Sequence, residues 1–263
     1  MRSIILSLFF FLILTGNAPG QDNFKVIKVN GTIVIKDKGV SLETGTVFSD
    51  REDLLFRTED ANAAVINPQK GRIILTSRSH DLSSASSNYL PSMYNISTRG
   101  GAADEQADLQ NFFSGKCVIF EAERIVPDAS VYPMDKDHFF FFRYLYKGEE
   151  INKKLDYSGD TLIIDKKTLY TVDGKPIPSP DNTLIKLFYR DGTESVFVSE
   201  FNLIFPDMKH LKDEVKVILD AMNGHSSSQK ITEVKGYIND EYGKIYQPEL
   251  FSWMEKEFGV AIK

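Results

Sequence analysis

The hydrophobic pattern of this chain of 263 residues changes its period once, at Phe205-Pro206. Before that point, short runs of Val, Ile, Leu, Thr and aromatic residues are interrupted by Gly, Asn, Asp or Pro, which is typical of β-strands joined by tight turns. After it, apolar residues recur every three or four positions, which is typical of amphipathic helices. Strands that precede the helices, instead of alternating with them, predict an α+β fold with mostly antiparallel sheets. We expect about three helices at the carboxyl end.

The first strand-rich segment covers Phe24–Leu75 and is divided by Gly and Asn residues. Its clearest turn signal is Asn30-Gly31, because both central residues of a type I′ turn need a positive φ angle. This signal predicts that Val26–Val29 and Thr32–Ile35 pair as a hairpin. The segment is therefore expected to form a small β-sandwich or barrel over residues 21–76.

Four short motifs follow one another in this segment. They are Gly31-x-x-Val34, Leu42-x-x-Gly45, Asp53-x-Leu55-x-x-Thr58-x-x-x-x-Ala63-x-Val65, and Gly71 before an apolar strand. This order of motifs resembles a FecR-type periplasmic domain. The resemblance implies a β domain outside the inner membrane that relays a signal through a membrane helix to a cytoplasmic segment. The chain departs from that pattern, because it has no second apolar run that could supply the membrane helix.

Residues 1–20 have the three parts of a secretory signal peptide. These are a basic head at Arg2, an apolar core over Ile4–Leu14 and small residues ending at Gly20. The apolar core is too short to span a bilayer comfortably. We therefore expect cleavage before Gln21 and export to the periplasm or the cell exterior as a soluble protein with no transmembrane segment. The alternative is an uncleaved membrane anchor.

The chain has a single cysteine, Cys117, which excludes an intramolecular disulfide and a lipid attached directly after the apolar core. In the strand predicted to begin at this residue, the cysteine shares a face with Ile119. A free thiol in an oxidising compartment is protected when it is buried. We therefore expect Cys117 to point into the core. The alternatives are a nucleophile or an intermolecular disulfide.

Residues 77–115 are rich in Ser, Asn, Ala and Gly, which indicates a long connection. Within it, Ala103–Phe113 is expected to form a short helix that docks through Leu109, Phe112 and Phe113. No Gly-x-Ser-x-Gly motif surrounds the serines of this segment, so they are not predicted to act as nucleophiles.

Residues 116–205 are expected to form a second, antiparallel sheet. The best hairpin signal there is Asp191-Gly192, which lies between the strand patterns Leu184–Tyr189 and Ser195–Leu203. The longest apolar run is His138–Tyr146, with the sequence HFFFFRYLY, whose two alternating faces are both apolar. Such a strand is either buried on both sides, or buried on one side with an exposed aromatic platform on the other.

The platform interpretation identifies four residues as a contact for a partner, namely Phe140, Phe142, Tyr144 and Tyr146. The core interpretation buries the strand, because a long apolar run is usually a central strand and large exposed apolar patches are rare.

Residues 206–263 are predicted to form helices that pack on the second sheet. Asp207 is a suitable amino-terminal cap for the first helix, and Asn223-Gly224 should end it. Pro248 suits the first turn of the last helix. Trp253 is expected to be a core anchor, since it lies at helical spacing beside Leu and Met residues.

No catalytic, cofactor-binding or metal-ligating residue is predicted. The four histidines lack the spacing of a zinc site, and Asp135-Lys136-Asp137-His138 lacks the Gly and the distal Glu of a calcium loop. No Walker loop or Gly-x-Gly-x-x-Gly motif occurs in the sequence. Carboxylate pairs such as Glu121 with Glu123 and Glu149 with Glu150 cannot be ranked as acid and base, because the sequence does not give the face on which each lies.

The formal net charge of −6 predicts an acidic surface that repels phosphate backbones, so nucleic acid is not an expected partner. The lack of local catalytic motifs favours an exported, non-enzymatic binding or scaffold protein of the cell envelope. It would contact a partner protein through the aromatic strand or an open β-edge. The alternatives are a periplasmic hydrolase of peptides or glycans whose acids meet only in the fold, and a FecR-like envelope signalling component without its membrane helix.

Overall fold

The structure is a computed structural model that describes residues 23–77, 109–172, 174–178, 180 and 183–261. The predicted signal peptide and most of the predicted connection lie outside the described residues. The described part has the predicted α+β fold, in which strands come first, most sheets are antiparallel and the long helices lie near the carboxyl end.

Two antiparallel sheets pack together in the amino-terminal part. Their strands are β1 (Asn23–Asn30), β2 (Ile33–Ile35), β3 (Val40–Ser41), β4 (Val47–Ser49), β5 (Leu54–Phe56), β6 (Asn62–Asn67) and β7 (Gly71–Thr76). One sheet has the order β4-β1-β6-β7 and the other has the order β3-β2-β5. A buried cluster that joins them contains Phe24, Ile33, Phe48, Val65 and Leu75. This is the small β-sandwich that the sequence predicted.

The predicted hairpin at Asn30-Gly31 is wrong. β1 pairs with β4 and β6, whereas β2 pairs with β3 and β5, so the turn carries the chain from one sheet to the other. Gly31 has a φ angle of 77°, and a Cβ atom there would overlap Oγ1 of Thr58. The same Oγ1 accepts a hydrogen bond from the backbone N–H of Thr32 at 3.0 Å. A side chain at position 31 would therefore clash with Thr58 where the chain crosses from one sheet to the other, which explains the glycine.

The second part is built on a six-stranded sheet. Its strands and those of two smaller sheets are β8 (Gly115–Val118), β9 (Ala122–Ile125), β10 (His138–Tyr146), β11 (Glu149–Lys154), β12 (Asp156–Ser158), β13 (Thr161–Asp165), β14 (Thr171–Val172), β15 (Lys175–Pro176), β16 (Leu184–Asp191), β17 (Glu194–Ile204) and β18 (Lys244–Ile245). The six-stranded sheet has the order β11-β10-β16-β17-β8-β18, and β8 is parallel to both of its neighbours. β16 and β17 pair around Gly192, which confirms the predicted hairpin.

The helices are α1 (Leu109–Phe112), α2 (Lys166–Leu169), α3 (Met208–Ala221), α4 (Ser227–Glu241) and α5 (Gln247–Phe258). The Asp207 carboxylate caps α3 by accepting hydrogen bonds from the backbone N–H groups of Lys209 and His210, as predicted. Ser226 and Gln229 form a capping box at the start of α4. The three long carboxyl-terminal helices that the sequence predicted are therefore confirmed.

One hydrophobic cluster joins these helices to both strand-rich parts. It includes Ile27 and Ala64 from the amino-terminal sheet, Val118 and Ile245 from the six-stranded sheet, and Leu211, Val215, Val234, Tyr237 and Trp253 from the helices. Ile27 faces the helices, and a β-bulge between Val26 and Lys28 shifts the alternation of β1 so that Val26 and Val29 both face the sandwich core. The sequence predicted packing on the second sheet, and the structure adds this contact with β1 and β6.

An ion-pair network crosses the same contact. Arg72 on β7 donates from Nε to Oε1 of Glu233 at 2.9 Å and from Nη2 to Oδ2 of Asp240 at 2.7 Å. Its side chain is 4% exposed, and its guanidinium lies 5.7 Å from the ring centre of Tyr237. Charged hydrogen bonds therefore reinforce the apolar contact between the amino-terminal sheet and α4.

Candidate functional site

The residues predicted as a partner contact lie on the inner face of β10. Phe140 and Phe142 are fully buried, and Tyr144 is 2% exposed. Tyr146 is half-buried and packs against the same core. The core interpretation of this strand is therefore the one that the structure supports. The platform interpretation placed the partner contact on the wrong face, because successive residues of a strand point to opposite sides and the sequence did not say which side is covered.

The opposite face of the six-stranded sheet carries a second set of phenylalanines, Phe139, Phe141, Phe188 and Phe197, which we call the outer aromatic face. The rings of Phe141 and Phe188 stack with their centres 5.2 Å apart and an interplanar angle of 8°. Phe197 lies edge-on to Phe188 at 5.6 Å, and Phe139 lies 6.5 Å from Phe141. Phe197 is 53% exposed. The stack crosses three neighbouring strands. Phe141 is only 8% exposed, Phe139 and Phe188 are half-buried, and the stack opens to solvent at Phe197.

The strand register explains this alignment. Phe188 on β16 lies opposite Phe141 on β10 and opposite Phe197 on β17. A β-bulge at Val198 then reverses the alternation of β17, so that Phe197 faces outward while Phe201 faces the core, although both have odd numbers. Without the bulge, these two phenylalanines would share one face.

Cationic side chains surround the outer aromatic face. Nζ of Lys154 lies 3.9 Å from the ring centre of Phe139, and the guanidinium carbon of Arg143 lies 4.6 Å from the ring centre of Phe188. Both distances are within the range of cation–π attraction. Arg190 donates hydrogen bonds to the backbone oxygen of Gly192 and to Oγ of Ser195. These contacts hold the cations beside the rings.

A shallow hollow of about 590 Å³ lies over this face. Its lining residues are Lys136, Asp137, Phe139, Phe141, Arg143, Asn152, Lys154, Arg190, Gly192 and Ser195. Four of these side chains are cations and one is a carboxylate, whereas the whole chain has a net charge of −6. The hollow is therefore a locally basic, aromatic surface on an acidic protein, which suits a partner with acidic groups.

A charged turn borders the hollow. Nδ1 of His138 lies 2.8 Å from Oδ1 of Asp135, and Nε2 lies 3.5 Å from Oδ1 of Asp191. The hydrogen bond with Asp135, followed by the charges of Asp135, Asp191 and Asp137, raises the pKa of His138. Hydrogen bonds from the His138 side chain and from backbone N–H groups lower the pKa of Asp135. The turn satisfies its own charges, as expected for a solvated loop.

We expect an NMR titration to give His138 a pKa above its ordinary value of 6.5, and Asp135→Asn to bring that pKa back down. Because the folded-state pKa is raised, the contribution of this pair to stability is present below pH 6.5 and is lost as the pH rises through the raised pKa. Asp53→Asn is the matched control, since Asp53 pairs with Lys36 and not with a histidine. A His138 pKa at or below 6.5 would contradict the assignment.

Cys117 lies in the core, as predicted. Its side chain is fully buried, it belongs to the same cluster as Ile119, and its Sγ lies 3.0 Å from the backbone oxygen of Phe112. Desolvation raises the pKa of the thiol to about 12, which suppresses the reactive thiolate.

Among the residues that the structure describes, no three His, Cys, Asp or Glu side chains come together in a way that could hold a metal ion. None of the helices given above has both the length and the apolar composition needed to cross a bilayer. Comparison with protein-family models, with curated proteins and with solved structures gives no match to this chain. The FecR-like resemblance of residues 24–75 stays a prediction from sequence.

Sequence reasoning missed Phe188, Phe197 and Lys154. A signal for the first two was present, because a two-residue hairpin after Asp191 fixes the register and places Phe188 opposite Phe197. The pairing of β16 with β10 adds Phe141 to the stack. No local sequence pattern predicts this pairing, because the two strands are distant in the chain.

Proposed function

We propose that this protein is an exported, non-enzymatic binding protein of the cell envelope that holds a partner protein through its outer aromatic face. The observation that carries the proposal is the stack of Phe141, Phe188 and Phe197 across three strands, which is buried at Phe141 but opens to solvent at Phe197, on the face of the sheet opposite the core. Contiguous exposed apolar groups on a folded chain are typical of interaction sites. Export rests on the predicted signal peptide.

The composition of the face supports a protein partner. Aromatic residues and arginine are the types enriched at the centres of protein interfaces, and here Arg143 and Arg190 flank the rings. A ring of cations around an apolar centre favours a partner with an apolar centre and acidic rim, and it would speed the encounter with such a partner.

Strand addition at the sheet edge is a weaker alternative. The edge strand β11 has the sequence EEINKK, and its Glu149, Glu150 and Lys154 are exposed. Charged side chains on an edge oppose pairing with another strand. The flat face of the sheet is therefore the better contact.

A hydrolase needs two acids that meet in the fold. In the described chain, Glu149 and Glu150 lie on the exposed edge strand, whereas Glu123 meets Glu249 in a cleft. These two side chains hydrogen bond to each other directly, whereas the carboxyl groups of glycoside hydrolases lie about 5 Å or more apart to accommodate the sugar. The contact does not suit glycan hydrolysis. A carboxyl pair that shares a proton is also the arrangement of aspartic proteases, so peptide hydrolysis stays the alternative function. Binding is preferred because of the outer aromatic face.

Photo-crosslinking tests the proposal. p-Benzoylphenylalanine in place of Phe197 should give one discrete adduct with another protein in the cells that produce this chain. The same group in place of Val47, which is 56% exposed on the amino-terminal sheet, is the control for general exposure. Equal adduct patterns from both positions, or an adduct made only of two copies of this chain, would overturn the proposal.

A further inference from the structure

Three rows of paired side chains follow one another along the outer face of β10 and β16. They are the rings of Phe141 and Phe188, the cations of Arg143 and Lys186, and the leucines Leu145 and Leu184. The rings and the cations lie directly opposite each other in the strand register. The leucines are the next outward residues of the same two strands. Neighbouring rows are therefore about 6.7 Å apart, since a strand rises about 3.3 Å per residue.

The leucine row is an apolar surface separate from the rings. Leu145 is 39% exposed and Leu184 is 38% exposed. Together with Arg143, Lys186 and other residues of the two strands, they line a small hollow of about 110 Å³. Single exposed leucines are ordinary, but two that line one hollow form a contiguous apolar surface. The row of cations thus has an apolar surface on each side.

The two cations lie opposite each other with weak compensation. Like charges at directly opposite positions of two strands destabilise a sheet. Nη1 of Arg143 lies 3.8 Å from Oε2 of Glu150, and Nζ of Lys186 lies 3.7 Å from Oε2 of Glu200. Both glutamates are exposed, and exposed ion pairs at such distances contribute little. An anion placed between Arg143 and Lys186 would relieve this local conflict, and conflicts of this kind are expected at functional sites.

We infer that the partner presents an acidic side chain between two apolar side chains, an inference that rests on the function proposed above. The carboxylate accepts hydrogen bonds from Arg143 and Lys186. One apolar side chain covers the row of rings, and the other enters the hollow at the leucine row. The two apolar contacts exclude water from the carboxylate, and hydrogen bonds between charged groups are stronger where water is excluded.

The spacing of the rows indicates that this part of the partner is extended. In an extended chain, the side chains of one face recur every second residue, about 6.7 Å apart, which matches the distance between rows. In a helix, same-face side chains are three or four residues apart, about 4.5 to 6 Å along the axis. An extended segment therefore stays in step with all three rows. The recognised pattern is apolar-x-acidic-x-apolar, and it lies on the face of the sheet and not at its edge.

Short peptides test the inference on the folded, full-length chain. The first has the sequence Ser-Phe-Thr-Glu-Thr-Leu-Ser with blocked ends. The second has Gln in place of Glu, and the third exchanges Glu with the Thr before it, which turns the acid to the other side of the extended chain. We expect the first peptide to shift the amide NMR signals of Leu184 and Lys186 saturably, with a dissociation constant below about 1 mM. The second and third should bind at least about tenfold more weakly.

Two substitutions locate the contacts. Lys186→Gln should weaken the Glu peptide by at least about fivefold and change the Gln peptide by less than about twofold, because only the Glu peptide has a charge to lose contact with. Leu184→Ser should weaken the first peptide by a similar factor, about fivefold, but should not affect a version with Ser in place of its Leu. Lys36→Gln is the matched control, since Lys36 forms an ion pair of similar length, 3.6 Å, with Asp53 on the amino-terminal sandwich.

Equal binding of the Glu and Gln peptides, equal binding of the exchanged peptide, or no saturation by about 10 mM would overturn the inference. The Phe197 crosslink tests the proposed function separately. A partner adduct without peptide binding would overturn the acidic motif alone, whereas peptide binding without an adduct would overturn the partner role alone.

Discussion

Phe142→Ala is expected to lower the free energy of unfolding by about 3 to 5 kcal/mol. Phe142 is fully buried on the inner face of β10, and its ring contacts those of Phe113 and Phe201 at 6.1 Å and 5.5 Å. Removing the ring leaves a cavity between the sheet and the segment that precedes β8, and a packed core relaxes only in part around such a cavity. Urea unfolding followed by far-UV circular dichroism measures the effect.

Phe197→Ala is the matched control, because it removes the same ring from the other face of the same sheet. With 53% of the side chain exposed, its expected cost is within about 0.5 kcal/mol. If Phe197→Ala cost as much as Phe142→Ala, the outer aromatic face would be part of the folding core and would not be an open surface.

Gly243→Ala is expected to cost more than about 3 kcal/mol or to prevent folding. Gly243 joins α4 to β18 at a φ angle of 131°, and a Cβ atom there would lie 2.5 Å from the backbone oxygen of Lys116 on β8. Backbone atoms in a central strand cannot move aside, so the parallel pairing of β8 with β18 would be disrupted.

Gly224→Ala is the control that measures the cost of a positive φ angle alone, without a steric clash. Gly224 also has a positive φ angle, 85°, but nothing lies within 4 Å of a Cβ atom built there. Its expected cost is about 1 kcal/mol. Thermal unfolding of the two variants compares them directly, and equal costs would contradict the close approach of Gly243 to β8.

The helical part of the fold was predictable because its signals are local. The Asp207 cap and the early proline of α5 each act within one turn of the residue concerned, and the structure has them as expected. The Asp191-Gly192 hairpin was predictable for the same reason. The Asn30-Gly31 turn has the same local signal, but contacts with Thr58 and Ala61 decide that it links two sheets.

The sites were less predictable because each depends on register or on distant contacts. The bulge at Val198, which turns Phe197 outward, has no glycine or proline to mark it. Glu123 has the pattern of an ordinary strand residue, and only the packing of α5 against β9 brings Glu249 to it. The alternation of residues in β10 correctly predicted which side chains share a face of that strand. It could not identify which of the two faces is covered by the core.

The partner-binding role is tested most directly by the yield of the Phe197 crosslink when the charge around the rings is reversed. In an Arg190→Glu background, we expect the adduct with the partner protein to fall by at least about tenfold, because the four cations and one carboxylate that line the hollow would become three cations and two carboxylates. Lys25→Glu, which changes charge by the same amount on the amino-terminal sheet, should leave the adduct unchanged. An adduct of the same yield in the Arg190→Glu background would contradict recognition through the outer aromatic face.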